Sequence, residues 1–216
     1  MISVLLVDDE ALVRAGLRMI LETAGDLTVI GEAATGRAAI DAVGAARPDV
    51  VLMDIRMPGL DGLTATAAIR ARARPPAVIV LTTFDADDAV FRALEAGATG
   101  FLLKDTPPHD LLRAVRLAAA GDAMLSPQVT RQVIDRVTAQ DRTRRRDALD
   151  RLRVLTERER EVLIQIGLGH ANAAIAANLH MSEATVKSHI SRLFDKLAAT
   201  NRVQLAIAAF RAGIVE

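Results

Sequence analysis

One ten-residue segment constrains this chain more than any other: residues 50–59 read VVLMDIRMPG. Four apolar residues lead directly into Asp54, and a Met-Pro-Gly turn follows. A short apolar run that is rich in β-branched residues is typical of a buried strand in a parallel sheet. Open α/β sheets carry their chemistry at the carboxyl ends of such strands. Asp54 is therefore expected at the functional edge of a sheet.

A second apolar strand is expected at residues 2–7, and Asp8, Asp9 and Glu10 follow it directly. If the two strands are neighbours, three or four carboxylates meet at one edge of the sheet. Like charges in such a cluster repel one another unless a divalent cation or shared protons neutralise them. Oxygen ligands at a hydrated position suit Mg²⁺, which takes one or two carboxylates and keeps several waters. The sequence therefore predicts a magnesium site that includes Asp54.

Two more expected strands end in polar residues, with Thr82 after residues 78–81 and Lys104 after residues 100–103. A hydroxyl and an ammonium could each bond one oxygen of a phosphoryl group on Asp54, while a metal takes the third. Taken singly, each signal has an ordinary explanation, such as a helix cap for an acidic pair or a solvated lysine. Their occurrence together at successive strand ends favours one shared site.

These residues, in this order and spacing, resemble the receiver domain of bacterial two-component response regulators over about residues 1–121. The resemblance implies that Asp54 accepts a phosphoryl group from a sensor histidine kinase. It also implies that Asp9 and Asp8 bind Mg²⁺ (or Mn²⁺), together with Asp54 and the backbone carbonyl of Arg56. The receiver would promote its own phosphotransfer and a slow autodephosphorylation, so the chain is not expected to be an enzyme in the usual sense.

The same resemblance implies a conformational switch. Phosphorylation would draw Thr82 inward, and Phe101 would fill the space that Thr82 leaves. The receiver surface formed by residues 87–96 and 100–103 would change shape. It would then either release the second half of the chain or form a dimer contact. Two other classes have a similar acidic site: an orphan regulator whose site never takes phosphate, and a haloacid-dehalogenase-like phosphatase. The phosphatase would need a carboxylate two residues after Asp54, where Arg56 stands, so the sequence opposes it.

The first half of the chain alternates apolar strands with amphipathic helices, which is the pattern of a doubly wound parallel sheet. Strands are predicted near 2–7, 27–33, 50–53, 77–81 and 100–103. Helices are predicted near 11–24, 36–46, 61–72, 87–96 and 108–120. Five strands and five helices, with a site at the strand carboxyl ends, match an α/β flavodoxin-like topology.

The pattern changes at Gly121, and three parts are predicted: a receiver at 1–121, a linker at 122–150 and a small all-α domain at 151–216. With 216 residues and 51% hydrophobic content, the chain can form two modest cores. Ser126 and Pro127 are typical of a helix start, which predicts a short helix to about residue 138 within the linker. The arginines at 144–146 either belong to a solvated tether or contact phosphate.

The net charge is zero, but it is unevenly distributed. Residues 1–121 hold 12 Lys and Arg against 16 Asp and Glu, and residues 122–216 hold 15 against 11. This asymmetry favours an anion-binding second half. The chain contains no cysteine, which fits a reducing cytoplasm. No apolar run approaches the roughly 20 residues of a membrane span, and no basic segment typical of a signal peptide begins the sequence.

The last third of the chain predicts four helices with recognisable caps. Thr156 and Glu159 form a capping box that starts a helix to about residue 168. Further helices are predicted near 171–179, 183–197 and 201–212, with Ser182 and Asn201 as N-caps of the last two. Two helices joined by a tight turn are a helix-turn-helix. The second of them would bury Val186, Ile190, Leu193 and Leu197.

Four segments resemble the LuxR-type DNA-binding domain of the NarL/FixJ class: LTERE, NAAIA, SEATVKSH and NRVQ, which begin at residues 155, 172, 182 and 201. The resemblance implies a transcription regulator that binds a pseudo-palindromic operator in double-stranded DNA as a homodimer formed on activation. Lys187 and Ser191 would read bases, while Arg192 and Arg202 would hold phosphates. The full set of expected DNA contacts is Thr185, Lys187, Ser188, Ser191, Arg192 and Arg202.

The chain departs from that pattern at two positions. Ala171 stands where the family usually has serine, which removes an N-cap that is worth about 1 kcal/mol. Ala174 stands where the family usually has glutamate. In the last helix, Val203, Ile207 and Phe210 recur at i, i+4 and i+7 and form an apolar stripe. That stripe is either a dimer interface or part of the core of the domain.

Overall fold

The computed structural model describes residues 1–82, 87–124, 149 and 151–215. The chain divides into two compact units, Met1–Val129 and Thr130–Glu216, and each has its own apolar core. The predicted linker at 122–150, with its short helix, falls almost entirely outside the described residues. Within the described ranges, no helix is both long enough and apolar enough to cross a membrane.

The first unit alternates five strands with five helices. Strands β1–β5 span Ile2–Val7, Leu27–Ala33, Val50–Asp54, Ala77–Thr82 and Gly100–Leu103. Helices α1–α5 span Ala11–Glu22, Gly36–Ala46, Gly62–Arg70, Asp87–Glu95 and Pro108–Ala120. The strands and helices predicted from the sequence are confirmed to within two residues at each end.

The five strands form one parallel sheet in the order β2-β1-β3-β4-β5. This is the flavodoxin-like order, in which the chain reverses direction across the sheet between β1 and β3. Val7 pairs with Met53, and Thr82 pairs with Leu103. The residues that follow β1 and β5 therefore lie at the same edge of the sheet as Asp54.

Both faces of the sheet are buried, as the continuous apolar strands predict. On one face, Val4, Leu6 and Leu52 pack in a cluster with residues of α1 and α5. The alternate strand residues, such as Leu5 and Met53, are also fully buried. Burial on both faces fixes the strand register, because a shift of one residue would exchange the side chains between faces.

From residue 152 to residue 215, the second unit contains one 3₁₀ turn and four α-helices. The turn spans Leu152–Val154, and helices α6–α9 span Glu157–Gly167, Asn172–Asn178, Glu183–Leu197 and Arg202–Arg211. The predicted capping box is confirmed, since the Thr156 hydroxyl accepts the Glu159 N–H and the Glu159 carboxylate accepts the Thr156 N–H. Ser182 and Asn201 cap α8 and α9 as predicted.

The inner face of α8 matches the prediction. Val186, Ile190 and Leu193 are buried, and Leu197 packs against the same cluster while partly exposed. Ala171 occupies the N-cap position of α7 and makes no side-chain capping bond, which confirms the expected loss.

Candidate functional site

Three carboxylates converge at the carboxyl edge of the sheet. One oxygen each from Asp8, Asp9 and Asp54 lies within 4.8 Å of the other two. Asp8 and Asp54 are buried, whereas Asp9 is exposed to solvent. Carboxylate oxygens this close would repel one another, and together they could hold one divalent cation. The predicted convergence is confirmed, and its hard oxygen donors suit a divalent cation.

Lys104 reaches into this cluster from the end of β5. Its Nζ lies 2.7 Å from Asp8 Oδ2 and 3.2 Å from Asp54 Oδ1. Burial works against the ammonium charge, but the bonds to Asp8 and Asp54 outweigh burial and raise the pKa of Lys104. Its backbone N–H donates to the carbonyl of Thr82 at 2.8 Å, which ties the ends of β4 and β5 together.

Burial makes the negatively charged form of Asp54 energetically unfavourable. The residue is 4% exposed, and burial is the main cause that raises the pKa of its carboxyl above the ordinary value for aspartate. The neighbouring charge of Asp8 raises the pKa further, and the opposing attraction of Lys104 does not offset the two. A buried carboxylate with a raised pKa in an acidic cleft is typical of a functional site.

Gly62 fixes the position of the end of β3, and it is not among the residues predicted from the sequence. Its N–H donates to the carbonyl of Ile55 at 3.0 Å, and a Cβ at this position would overlap the carbonyl oxygen of Asp54. Asp61 caps α3, because its Oδ1 accepts the Thr64 N–H at 2.7 Å. The Asp-Gly pair in front of an apolar helix was the signal for this close approach of helix and strand.

The remaining predicted receiver residues lie near this edge. Thr82 is 3% exposed at the end of β4, and Phe101 on β5 is 1% exposed, so the aromatic ring is already inside. Arg56 is exposed in the loop after β3. The structure thus gathers Asp54, Thr82 and Lys104 at one edge. The switch roles of Thr82 and Phe101, and metal binding by the Arg56 carbonyl, stay predictions.

The outer face of α8 carries the predicted DNA contacts. All five residues predicted on this helix are exposed: Thr185, Lys187, Ser188, Ser191 and Arg192. The Thr185 hydroxyl also lies 2.8 Å from Ser182 Oγ at the N-cap. An exposed polar face opposite a buried apolar one is what a recognition helix requires. Contacts with bases and phosphates stay predictions.

The expected DNA contact by Arg202 is wrong. This residue is 7% exposed, and its guanidinium donates to Asn172 Oδ1 at 2.8 Å and to the carbonyl of His170. Arg202 therefore joins the start of α9 to the start of α7. A buried guanidinium with carbonyl partners inside its own unit is not available to hold a DNA phosphate.

The apolar stripe on α9 is only partly exposed. Val203 is 8% exposed, whereas Ile207 and Phe210 are both half-buried. Val203 is therefore buried within its own unit, which is the second of its two predicted roles. A dimer contact by Ile207 and Phe210 stays a prediction.

Two family models match the chain. One, described as the response regulator receiver domain, matches residues 4–116. The other, described as bacterial regulatory proteins of the luxR family, matches residues 153–209. The two models thus cover the unit with the acidic cluster and the unit with the exposed polar helix.

Relatives of the full chain agree with these matches. The transcriptional regulatory protein YxjL of Bacillus subtilis is 39% identical, with 100% of this chain and 98% of the relative covered. The response regulator VraR of Staphylococcus aureus is 37% identical, with 100% and 99% covered. The solved structure of the response regulator ChrA, from a heme-sensing two-component system, is 40% identical with a TM-score of 0.54, and 99% of this chain and 98% of that chain are covered.

The site geometry and the full-length relatives lead to the same conclusion. A parallel sheet presents an acidic cluster that includes the buried Asp54, and a helix-turn-helix follows in the second unit. The predicted fold class is confirmed for both units. The chain belongs to the two-component response regulators of the NarL/FixJ class, which regulate transcription and combine a receiver domain with a LuxR-type DNA-binding domain.

Proposed function

We propose that this regulator is activated when a sensor histidine kinase transfers a phosphoryl group to Asp54. The observation that carries the proposal is the position of Asp54: a buried carboxylate with a raised pKa, beside Asp8 and within reach of Lys104. In the transfer, an Asp54 oxygen attacks phosphorus while the bond from phosphorus to the donor nitrogen breaks, and the electron pair leaves with the donor. Lys104 and Thr82 then bond phosphoryl oxygens.

Mg²⁺ or Mn²⁺ is the proposed cofactor, held by Asp8, Asp9 and Asp54 together with the backbone carbonyl of Arg56. Close carboxylates support this assignment, because Lys104 alone cannot balance all three charges. Such an ion supplies positive charge beside the phosphoryl oxygens. The receiver also promotes slow hydrolysis of its own acyl phosphate, which returns the regulator to its resting state.

The phosphorylated receiver favours a homodimer through the switch residues Thr82 and Phe101. Two DNA-binding domains then bind the half-sites of a pseudo-palindromic operator. Lys187 and Ser191 read base edges, Thr185 and Ser188 lie beside them, and Arg192 holds a phosphate. Ile207 and Phe210 contribute to the dimer contact. Because phosphotransfer and operator binding take place in the compartment that contains the DNA, we place the regulator in the cytoplasm.

Acetyl phosphate tests the phosphoacceptor directly. The full chain is incubated with acetyl phosphate and Mg²⁺, and its intact mass is measured. The wild-type chain gains one phosphoryl group, and EDTA prevents the gain because the metal site is empty. Asp54→Asn abolishes the gain, since an amide oxygen is a poor nucleophile. The matched control is Asp61→Asn, which alters a neighbouring acid while keeping an oxygen that can cap α3.

Two outcomes would overturn the assignment. An undiminished adduct in Asp54→Asn would place the phosphoryl group on another residue. A wild-type chain that binds Mg²⁺ but forms no adduct would favour the orphan regulator, in which the same acidic site never takes phosphate. Loss of the adduct in Asp54→Asn but not in Asp61→Asn supports the proposal.

A further inference from the structure

Arg14, in the first turn of α1, joins α1 to the turn after β1 and to the strand β2. Its Nη1 donates to the backbone carbonyl of Asp8 at 2.7 Å, and its Nε donates to Glu32 Oε2 at 3.0 Å. The side chain is 16% exposed, so most of it is packed within the receiver. One planar guanidinium therefore holds the Asp8 carbonyl at a fixed position relative to β2.

The carbonyl held by Arg14 belongs to the peptide plane that links Asp8 to Asp9. Because a peptide is planar, the position of this oxygen sets the torsion angles on both sides of the plane. Two other bonds fix the rest of the turn: the Asp8 N–H donates to the carbonyl of Ala33 at 3.1 Å, and Asp8 Oδ1 accepts the Glu10 N–H at 2.9 Å. The Arg14 bond therefore sets the direction in which the Asp9 side chain leaves the turn.

A cation this close to an acidic cluster would also repel a metal ion, but Glu32 offsets its charge. The bonds from Arg18, and then those from Arg14, hold the pKa of Glu32 below the ordinary value for glutamate. Arg18 donates to Glu32 Oε1 at 2.9 Å and to Glu22 Oε1 at 3.0 Å. Arg18 thus donates to the same Glu32 carboxylate as Arg14, but only Arg14 also bonds the Asp8 carbonyl.

We propose that Arg14 is a positioning residue for the divalent-cation site: its bond to the Asp8 carbonyl orients the carboxylates of Asp8 and Asp9 toward a shared ion. This inference rests on the proposed function, in which the acidic cluster binds Mg²⁺. Groups that orient metal ligands without touching the metal typically change metal affinity 10–100-fold when they are removed. Arg14 has this role for Asp8 and Asp9, because it bonds the peptide that joins them.

Calorimetric titration of the full chain with MgCl₂ tests the proposal. Arg14→Gln lowers Mg²⁺ affinity about tenfold, because the released peptide must be ordered again on binding. Charge alone predicts the opposite sign, since removal of a cation near the site would tighten binding. Arg18→Gln is the matched control and leaves the affinity unchanged. Arg14→Lys recovers part of the affinity, because one ammonium replaces two fixed donors.

A second measurement separates positioning from folding. Thermal unfolding is followed by circular dichroism in EDTA, where metal binding cannot contribute, and Arg14→Gln and Arg18→Gln are compared. Similar melting temperatures with a weaker Mg²⁺ affinity only in Arg14→Gln support the proposal. If Arg14→Gln does not fold, Arg14→Lys takes its place with an expected loss of a few-fold.

Unchanged or tighter Mg²⁺ binding in the Arg14 variants overturns the positioning role while the metal site itself stands. A wild-type chain that does not bind Mg²⁺ overturns the proposed metal site. The two failures are thus distinguished by the wild-type titration.

Discussion

Asp54 and Glu159 are buried carboxylates of different units, and their pKa values are shifted in opposite directions. Asp54 in the receiver is 4% exposed and Glu159 in the DNA-binding unit is 2% exposed, and a lysine contacts each of them. The pKa of Asp54 is raised above the ordinary value for aspartate. The pKa of Glu159 is lowered to about 2. Burial beside a lysine therefore does not decide the sign of the shift.

The difference lies in the other neighbours of each carboxylate. Glu159 accepts a bond from Lys196 Nζ at 2.7 Å, which is the main cause of its low pKa, and another from the Thr156 N–H at 2.8 Å. Asp54 shares Lys104 with Asp8, whose charge adds to the cost of burial. Glu159 therefore stabilises its unit through its charge, whereas the charge of Asp54 lowers the stability of the receiver.

Neutralising Glu159 is the largest effect expected from this comparison. Glu159→Gln keeps the shape of the capping box but removes the charge, and we expect a loss of about 1.5 kcal/mol from the second unit at pH 7. The lowered pKa of Glu159 means that its contribution is fully present above the ordinary glutamate pKa of 4.5 and disappears as pH falls through about 2. Urea unfolding, followed by amide NMR signals of α6 and α8, measures the difference at several pH values.

Glu157→Gln is the matched control, because Glu157 is an exposed acid in the same first turn of α6. We expect it to cost less than half as much, through the weaker interaction of an exposed charge with the helix terminus. Equal losses in the two variants would mean that the bond between Glu159 and Lys196 adds nothing to the helix effect. A loss in Glu159→Gln that does not shrink below pH 4 would contradict the low pKa.

Neutralising Asp54 should have the opposite sign. Asp54→Asn removes a carboxylate charge that burial destabilises in the folded state, as its raised pKa indicates. We therefore expect the free energy of unfolding of the receiver to rise by about 1 kcal/mol at pH 7 in EDTA. Because the folded-state pKa is raised, the wild-type receiver loses stability as pH rises through it. The gain is therefore largest at neutral pH and disappears below the ordinary aspartate pKa of 3.8.

Urea unfolding of both chains from pH 3 to pH 8 checks this sign, with receiver amide signals as the probe. Asp41→Asn is the control, since Asp41 is exposed on α2 of the same unit. A gain confined to Asp54→Asn supports the contrast with Glu159. If Asp54→Asn destabilises the receiver at pH 7, the ion pair with Lys104 outweighs the cost of burial and the comparison fails.

Local patterns in the sequence were enough to place the strands, the helices and the acidic edge. The run 50–54 and its neighbours carry alternating strand and helix signals that depend only on nearby residues. The parallel topology then brings every strand end to one edge, so Asp8 and Asp54 meet although 46 residues separate them. Capping residues such as Thr156 are equally local, and they marked helix starts correctly.

Interactions that depend on distant partners were not visible in those patterns. Arg202 follows an N-cap on a polar-looking turn, and its partners Asn172 and His170 come 30 and 32 residues earlier. Lys196 reaches Glu159 across 37 residues, and Arg14 reaches Glu32 across 18. A long cationic side chain has the same sequence signature on a surface as in a tertiary contact, so its role needed the structure.

The smallest expected effect tests how much helix capping, as opposed to the bond with Lys196, contributes to the stability that Glu159 gives its unit. Ala171 already has the extended backbone of an N-cap, with φ −68° and ψ 160°, and its carbonyl accepts the Ile175 N–H. Ala171→Ser adds a hydroxyl that can accept a free N–H in the first turn of α7, and we expect a gain of about 0.5 kcal/mol. Ala173→Ser places the same hydroxyl two residues later, where no cap forms, and should give no gain. Urea unfolding of the second unit compares the two variants. Equal gains would show that added polarity, rather than a capped helix terminus, stabilises the unit. The stability lost in Glu159→Gln would then be attributed to the bond with Lys196 alone.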